Sequence, residues 1–249
     1  MTYIKDYWEN KEGRKEIAMD HTKEMAKKFG KEITYSVSNT KLYDTDFSFI
    51  PDRSMNTEIK VVSMDSVNAI CKYQNGKTAV LNFASYKNPG GMFLNGSKAQ
   101  EECLCHESFL YNVLETQKNY YTWNNMHKNR ALYLNRALYS PHILFRNAVP
   151  CDVITCACPN KSAAQKYQNV SNEENLKVLN SRIKFVLDIA EANNVETLIL
   201  GAFGAGVFGQ DATEVAEVFK KHLRNYGFKK VVFAITAGPN LTKFQKVFR

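Results

Sequence analysis

The sequence predicts an α/β fold in which a mixed, mostly parallel sheet is covered by helices on both faces. Short apolar runs rich in β-branched residues alternate with segments of helical period along the 249-residue chain. The clearest of these runs, "TAVLNFA" at 78–84, is apolar almost throughout, as suits a strand buried on both faces. Two strand-to-helix connections, 88–99 and 201–208, are marked by glycine. In such sheets ligands bind beyond the carboxyl ends of the strands, so both connections are expected on one rim.

Taken in order, residues 5–29 read as a helix charged on one face and closed by Gly30 as a C-cap. "EIKVVS" (58–63) reads as a strand. A helix begins near Asp65 and Ser66 and is expected to turn Val67, Ile70 and Cys71 inward. The Asn-Gly pair of "YQNGK" marks the turn into the strand at 78–84. A helix over about 100–116 follows the first glycine connection, and strands follow at 137–146 and 151–159. Residues 173–193 are amphipathic, with Leu179, Ile183, Val186, Leu187 and Ala190 at helical spacing. "ETLILGAFGAGVFGQDATEVAEVFKKHL" reads strand, glycine loop, helix, with Val215, Ala216, Phe219 and Leu223 on one side of the helix. "KKVVFAI" (229–235) is the last strand, and no linker divides the chain into domains.

Composition narrows the class. The chain is 44% hydrophobic and 23% charged, without low-complexity tract or repeat, as folded globular proteins are. No apolar run approaches the roughly 18–20 residues of a membrane span. The opening "MTYIKDYWENKEGRKEIAMDH" has neither an apolar core nor a small-residue cleavage site, so a cytoplasmic protein without a signal peptide is expected. Six cysteines (71, 103, 105, 151, 156, 158) form no CxxC pair and fit reduced thiols. Cys103, Cys105 and His106 tempt a metal reading. Residues two apart on a helix, however, point roughly 200° away from each other, so no metal and no cofactor are expected.

The net charge of +8, from 33 basic and 25 acidic residues, favours a polyanionic partner. Much of it sits in "KEMAKKFGKE" and "FKKHLRNYGFKK", which read as solvated helix faces. Thirteen tyrosines and fifteen phenylalanines would allow base stacking, but no recognised nucleic-acid module is present. Direct nucleic-acid binding through the basic surface is thus a third, open alternative and not the prediction; no membrane binding is expected, and the chain is expected to be a monomer.

Two stretches carry chemistry. "GAFGAGVF" (201–208) has the GxxGxG order of a backbone phosphate cradle, with a helix N-terminus behind it to add a favourable dipole. The alternative is a tight strand-to-helix turn, with Phe208 in the core rather than against a sugar. "NPGGMFLNGSKAQEECL" (88–104) sets a Pro-Gly-Gly turn before two adjacent glutamates. Neighbouring carboxylates repel, so the pair is either an ordinary acidic first turn of a helix or a site where a ligand comes close. Successive helical side chains diverge by roughly 100°, which predicts different tasks for Glu101 and Glu102.

"NFASYKNPGG" (82–91), a third motif position at Met92, seven residues, then Gln100-Glu101-Glu102 resembles the signature of the bacterial-type poly(ADP-ribose) glycohydrolases, which are macrodomains. "LGAFGAGVFGQDATEVAEVF" resembles that family's diphosphate loop, and "YSPHILFRN" and "ITCACPN" its intervening strands; the similarity runs from about 35 to 235. The resemblance implies a macrodomain-like three-layer α/β/α unit over 35–249, behind an N-terminal helical extension at 1–34. It implies hydrolysis of ribose–ribose O-glycosidic bonds to release ADP-ribose. Glu102 would be the catalytic acid, with Glu101 and Asn88 on the distal ribose, and Gly90 and Gly91 would let the backbone approach that ribose and the diphosphate. Gly204, Ala205 and Gly206 would cradle the phosphates, Val207 and Phe208 would flank the distal sugar, and Asp65 would meet the adenine amine.

A helix N-terminus favours a charged carboxylate, so the bound diphosphate and the charge of Glu101 are expected to keep a proton on Glu102. Met92 departs from the family's triple glycine. Positive φ there would cost a side chain roughly 1–2 kcal/mol and point to a slow enzyme, or to an ADP-ribose binder without turnover. Hydrolysis of mono-ADP-ribosyl linkages is the other alternative.

Overall fold

The structure, a computed structural model, describes residues 10–51 and 56–249. A seven-stranded sheet forms its centre, in the order β1-β4-β5-β3-β6-β7-β2. The strands are β1 (Lys41–Tyr43), β2 (Glu58–Ser63), β3 (Thr78–Phe83), β4 (Ala137–Phe145), β5 (Val149–Cys156), β6 (Thr197–Leu200) and β7 (Lys230–Ile235). From β5 across to β2 every pairing is parallel; β4 and the short edge strand β1 add antiparallel pairings. The mixed, mostly parallel sheet is thus the expected one.

Strand alternation divides the core. Leu81, Ile154, Leu198, Val231 and Phe233 face one side, where α8 (Asn172–Ala192), α9 (Ala212–Leu223) and α10 (Pro239–Val247) pack with Leu179, Ile183, Val215, Phe219 and Phe244. Val80, Val153, Ile199 and Val232 face the other, against α1 (Lys11–Lys28), α3 (Ser66–Tyr73), α4 (Gln100–His106) and α5 (Leu110–Leu114). β3 lies at the middle of the sheet with its residues 78–82 buried, so the loop leaving its carboxyl end is anchored on a covered strand.

Several sequence expectations need correction. Of the helix expected over 5–29, residues 5–9 lie outside the described residues; α1 begins after Asn10, whose side chain accepts from the Gly13 N–H. Gly30 is not a C-cap. Phe29 ends α1, and Gly30 begins a second helix, α2 (Gly30–Asn39), which the local pattern does not announce. In α3 Val67 and Ile70 are buried with Ala69, whereas Cys71 is exposed.

The helix expected over 100–116 is two helices. Ser108 breaks it: its backbone bridges to Phe145 of β4, while its hydroxyl donates to Leu104 O and accepts from Leu110 N–H. Strand β5 begins earlier than expected and ends at Cys156. Helices α6 (Lys118–Met126) and α7 (Lys161–Gln168) complete the fold. Among the described residues no helix is long and apolar enough to cross a membrane.

Candidate active site

Gln100 fixes the start of α4 to the end of β3. Its Oε1 accepts from Phe83 N–H at 2.8 Å, and its Nε2 donates to Leu81 O at 2.9 Å and Ser66 Oγ at 3.1 Å. A side-chain amide here continues the hydrogen bonding of the strand, so the glutamates that follow are set at the carboxyl end of the central strand.

Glu101 lies in a closed polar nest, 3% exposed. Oε1 accepts from Asn82 Nδ2 at 3.1 Å and Oε2 from Ser85 N–H at 2.7 Å; Asn82 is itself braced on Thr155 Oγ1 at 3.3 Å. Burial lifts the Glu101 carboxyl to about 8, against the pull of the Ser85 and Asn82 hydrogen bonds and with a push from neighbouring Glu102. Burial thus favours the protonated form of Glu101. A protonated Glu101 would weaken the push its charge was expected to give Glu102.

Glu102, 5% exposed, accepts from Met92 N–H at 2.9 Å through Oε1, while buried Oε2 has no partner among the described residues. Asn82 Oδ1 and the Tyr121 hydroxyl, both near Glu101, are unpartnered in the same way. An unmet buried polar atom costs about 1–3 kcal/mol, and three around one carboxyl pair mark a site built for something other than stability.

Gly91 explains how the pair fits. Its φ is +62°, and a Cβ there would lie 2.7 Å from Glu102 Oε1 and 2.9 Å from Glu101 Oε2. The adjacent side chains do not diverge as helical spacing predicts. Both carboxylates come up beneath this one residue, and they differ in their partners instead.

Met92 departs from glycine without penalty. Its φ is −112°, an ordinary value for any residue, and its side chain is 46% exposed. The triple-glycine pattern suggests a positive-φ demand at this position; the backbone makes none.

The second loop leaves β6 at Gly201. Its own turns use the N–H groups of Ala205, Gly209 and Gln210, and Asn240 Nδ2 holds Ala205 O at 3.2 Å. Among the described residues nothing accepts from the N–H groups of Gly206, Val207 and Phe208. Gly204 (φ +75°) must be glycine, because a Cβ would fall 2.3 Å from Cys158 Sγ. The expected helix dipole is displaced: α9 begins only at Ala212, capped by Asp211, which also pairs with Lys243 at 2.6 Å. Any anion bound here would be held by loop backbone.

Rings link the segment that enters the first loop to the second loop. Tyr86 stacks on Tyr133 at 4.2 Å, and Tyr133 touches Phe208 at 6.3 Å, so half-buried Phe208 packs between core and rim while Val207 stands 89% exposed. Asn88 is exposed at the mouth of the first loop. Asp65 lines a cleft of about 270 Å³ with Phe83, Gln100, Ala202, Thr236 and Asn240, beyond the same strand ends. It also caps α3, accepting from Asn68 N–H at 2.8 Å and Asn68 Nδ2 at 2.5 Å.

Cys103, Cys105 and His106 share no focus: Cys103 Sγ turns to Lys98 O, a Gly90 Cβ would lie 3.2 Å from Cys105 Sγ, and His106 lies edge-on to Phe93. Sequence reasoning missed Asn82, Ser85 and the tether of Gln100. The only signal was their place in "NFASYKNPGG" and "QEE", since a polar residue inside an apolar strand asks for a buried partner.

A family model described as the microbial-type PARG catalytic domain, PARG being poly(ADP-ribose) glycohydrolase, matches residues 14–147. The chain superposes on the PARG of Thermomonospora curvata with a TM-score of 0.84 and 27% identity, over 95% of this chain and 100% of that one. PARG from that organism bound to the inhibitor ADP-HPD gives 0.83 and 28%, over 94% and 99%. PARG from Deinococcus radiodurans in complex with ADP-ribose gives 0.79 and 29%, over 87% and 96%. No curated relative matches.

Proposed function

The chain belongs to the microbial-type PARG catalytic-domain family, glycosidases that act on poly(ADP-ribose), and from that premise we propose how its own residues carry the reaction. Glu102 is the general acid. Oε2 gives its proton to the leaving ribose oxygen as the bond to the anomeric carbon breaks and an oxocarbenium-like centre develops. The resulting carboxylate then takes a proton from the water that attacks that carbon, which restores the acid. Met92 N–H, holding Oε1, keeps the free oxygen aimed at the bond.

Glu101 grips the distal ribose together with Asn88. Protonated below about pH 8, it offers a sugar hydroxyl both a hydrogen and lone pairs. Gly90 and Gly91 bring the first loop close to that ribose and the diphosphate. Gly204, Ala205 and Gly206, with the open N–H groups of the second loop, hold the diphosphate, and Val207 and Phe208 flank the distal sugar. The adenine lies toward the cleft at Asp65. We read the whole as a macrodomain-like unit that needs neither metal nor cofactor for this chemistry. The six free cysteines support a reducing, cytoplasmic setting.

The observation that carries the assignment of the acid is the buried, unpartnered Oε2 of Glu102 beneath Gly91. A crystal grown with ADP-ribose tests it. The terminal ribose should lie against Gly91 with its anomeric carbon beside Glu102; a ribose seated far from that carboxyl would overturn the assignment. Incubation with poly(ADP-ribose), with the products separated, then reads turnover directly as free ADP-ribose.

A further inference from the structure

The buried face of α1 is an unusual one: Arg14, Ala18, His21 and Met25, of which two are polar and ionisable. A helix that merely covered a core would place leucine or alanine there, since burying a guanidinium or an imidazole is unfavourable unless its donors are met. Each of these two residues has a partner in the segment 96–108. Arg14, 6% exposed, donates from Nε to Gly96 O at 2.7 Å, and His21 Nε2 lies 2.8 Å from Ser108 O.

Gly96 sits between the Gly90-Gly91 turn and the glutamates, and Ser108 sits just past the end of α4. Arg14 and His21, two helical turns or roughly 10 Å apart, therefore hold the chain before and after the helix that carries Glu101 and Glu102. The contact at Gly96 is direct: its φ is +73°, and a Cβ would come 2.3 Å from Lys11 O of α1. Buried Phe93 joins the two elements, its ring centroid 4.5 Å from that of His106 and 6.4 Å from that of His21. The turn before the glutamates, the last residue of α4 and the inner face of α1 thus form one packed unit.

We propose that α1 is a positioning element for the catalytic helix, with Arg14 as its principal residue, setting the height of the Gly91–Met92 backbone against the Glu102 carboxyl. The proposal rests on the reading of Glu102 as the acid. In this role Arg14 acts through Gly96 rather than on the substrate itself.

The test compares full-length wild type with Arg14→Ala, Arg14→Gln and Arg14→Lys, and with Lys23→Ala on the exposed side of α1 as control. Turnover of poly(ADP-ribose), the Kd for ADP-ribose and amide hydrogen exchange are measured for each. Arg14→Ala should lower kcat by about tenfold or more, because small misplacements of a catalytic group are expensive. The ADP-ribose Kd should stay within about threefold, and exchange should quicken in 93–106 without quickening in β3 and β6. Arg14→Gln and Arg14→Lys, each with a donor for Gly96 O, should recover part of the loss.

Unchanged kcat in a folded Arg14→Ala, or kcat and Kd worsening by the same factor, would overturn the proposal. So would exchange quickening evenly over the sheet. If Arg14→Ala does not fold, the Gln and Lys variants are measured in its place, and the same outcomes support or overturn the proposal. Wild type that releases no ADP-ribose would instead sink the reading of the site, and local exchange at 93–106 would still decide the role of Arg14.

Discussion

Met92 donates its backbone N–H to Glu102 Oε1 at 2.9 Å, which leaves Oε2 as the carboxyl oxygen without a partner among the described residues. The donor comes from the residue after Gly91, so the turn that covers the carboxyl also orients it. Glu102→Gln keeps an acceptor for Met92 N–H and loses only the proton. We expect kcat for ADP-ribose release to fall by roughly 10²–10⁴ with ADP-ribose affinity preserved. Single-turnover release beside a binding isotherm checks this; full turnover in Glu102→Gln would remove it from the role of acid.

Met92→Gly restores the triple glycine, and the backbone predicts that nothing is gained. At φ −112° a side chain is tolerated, so the variant should match wild-type kcat within about twofold. It should lose about 0.4–1 kcal/mol of stability through the freer unfolded chain. A clear rise in turnover would show that the thioether, not the backbone, obstructs the site.

The inner parallel strands were legible because their residues face packing on both sides, which leaves few polar positions to confuse the pattern; "TAVLNF" and "KVVFAI" are examples. Edge strand β1 has only three residues, two of them exposed, and gives no such pattern. Helix α1 was visible but its inner face was not, since Arg14 and His21 look solvated until Gly96 and Ser108 are brought to them. The same holds at the site. The motif spacing pointed to Glu101 and Glu102, yet their different environments come from Asn82, Ser85 and Met92, contacts that helical geometry does not foretell. The break at Ser108 arises from a pairing with Phe145, 37 residues away along the chain, and no local propensity encodes it.

Gly91→Ala tests the fit above the carboxyl pair. The substitution adds a side chain at φ +62°, a cost of about 1–2 kcal/mol, and sets a methyl group 2.7 Å from Glu102 Oε1. One of the two must move. We expect a lower melting temperature together with a fall in kcat/KM larger than the stability loss alone produces at a temperature where the variant is fully folded. Wild-type kcat/KM in a folded Gly91→Ala would mean that the turn yields without disturbing the acid.

The nest around Glu101 predicts an inverse dependence of stability on pH. In the folded protein its carboxyl is raised from 4.5 to about 8 by burial, so between those values the folded state binds more protons than the unfolded chain. Stability contributed by this group is present below about pH 4.5 and is lost as pH rises through 8. The size of the shift corresponds to roughly 4–5 kcal/mol. Glu101→Gln has the shape of the protonated acid; it still accepts from Ser85 N–H, and the Asn82 amide can turn to accept from its Nε2. Denaturant unfolding from pH 4.5 to 9 should therefore show the variant close to wild type at the acid end and more stable by several kcal/mol at the alkaline end, even though it has lost a residue of the site. Parallel stability curves for the two proteins would mean that Glu101 ionises normally in its nest, and that the hydrogen bonds from Asn82 and Ser85 outweigh burial.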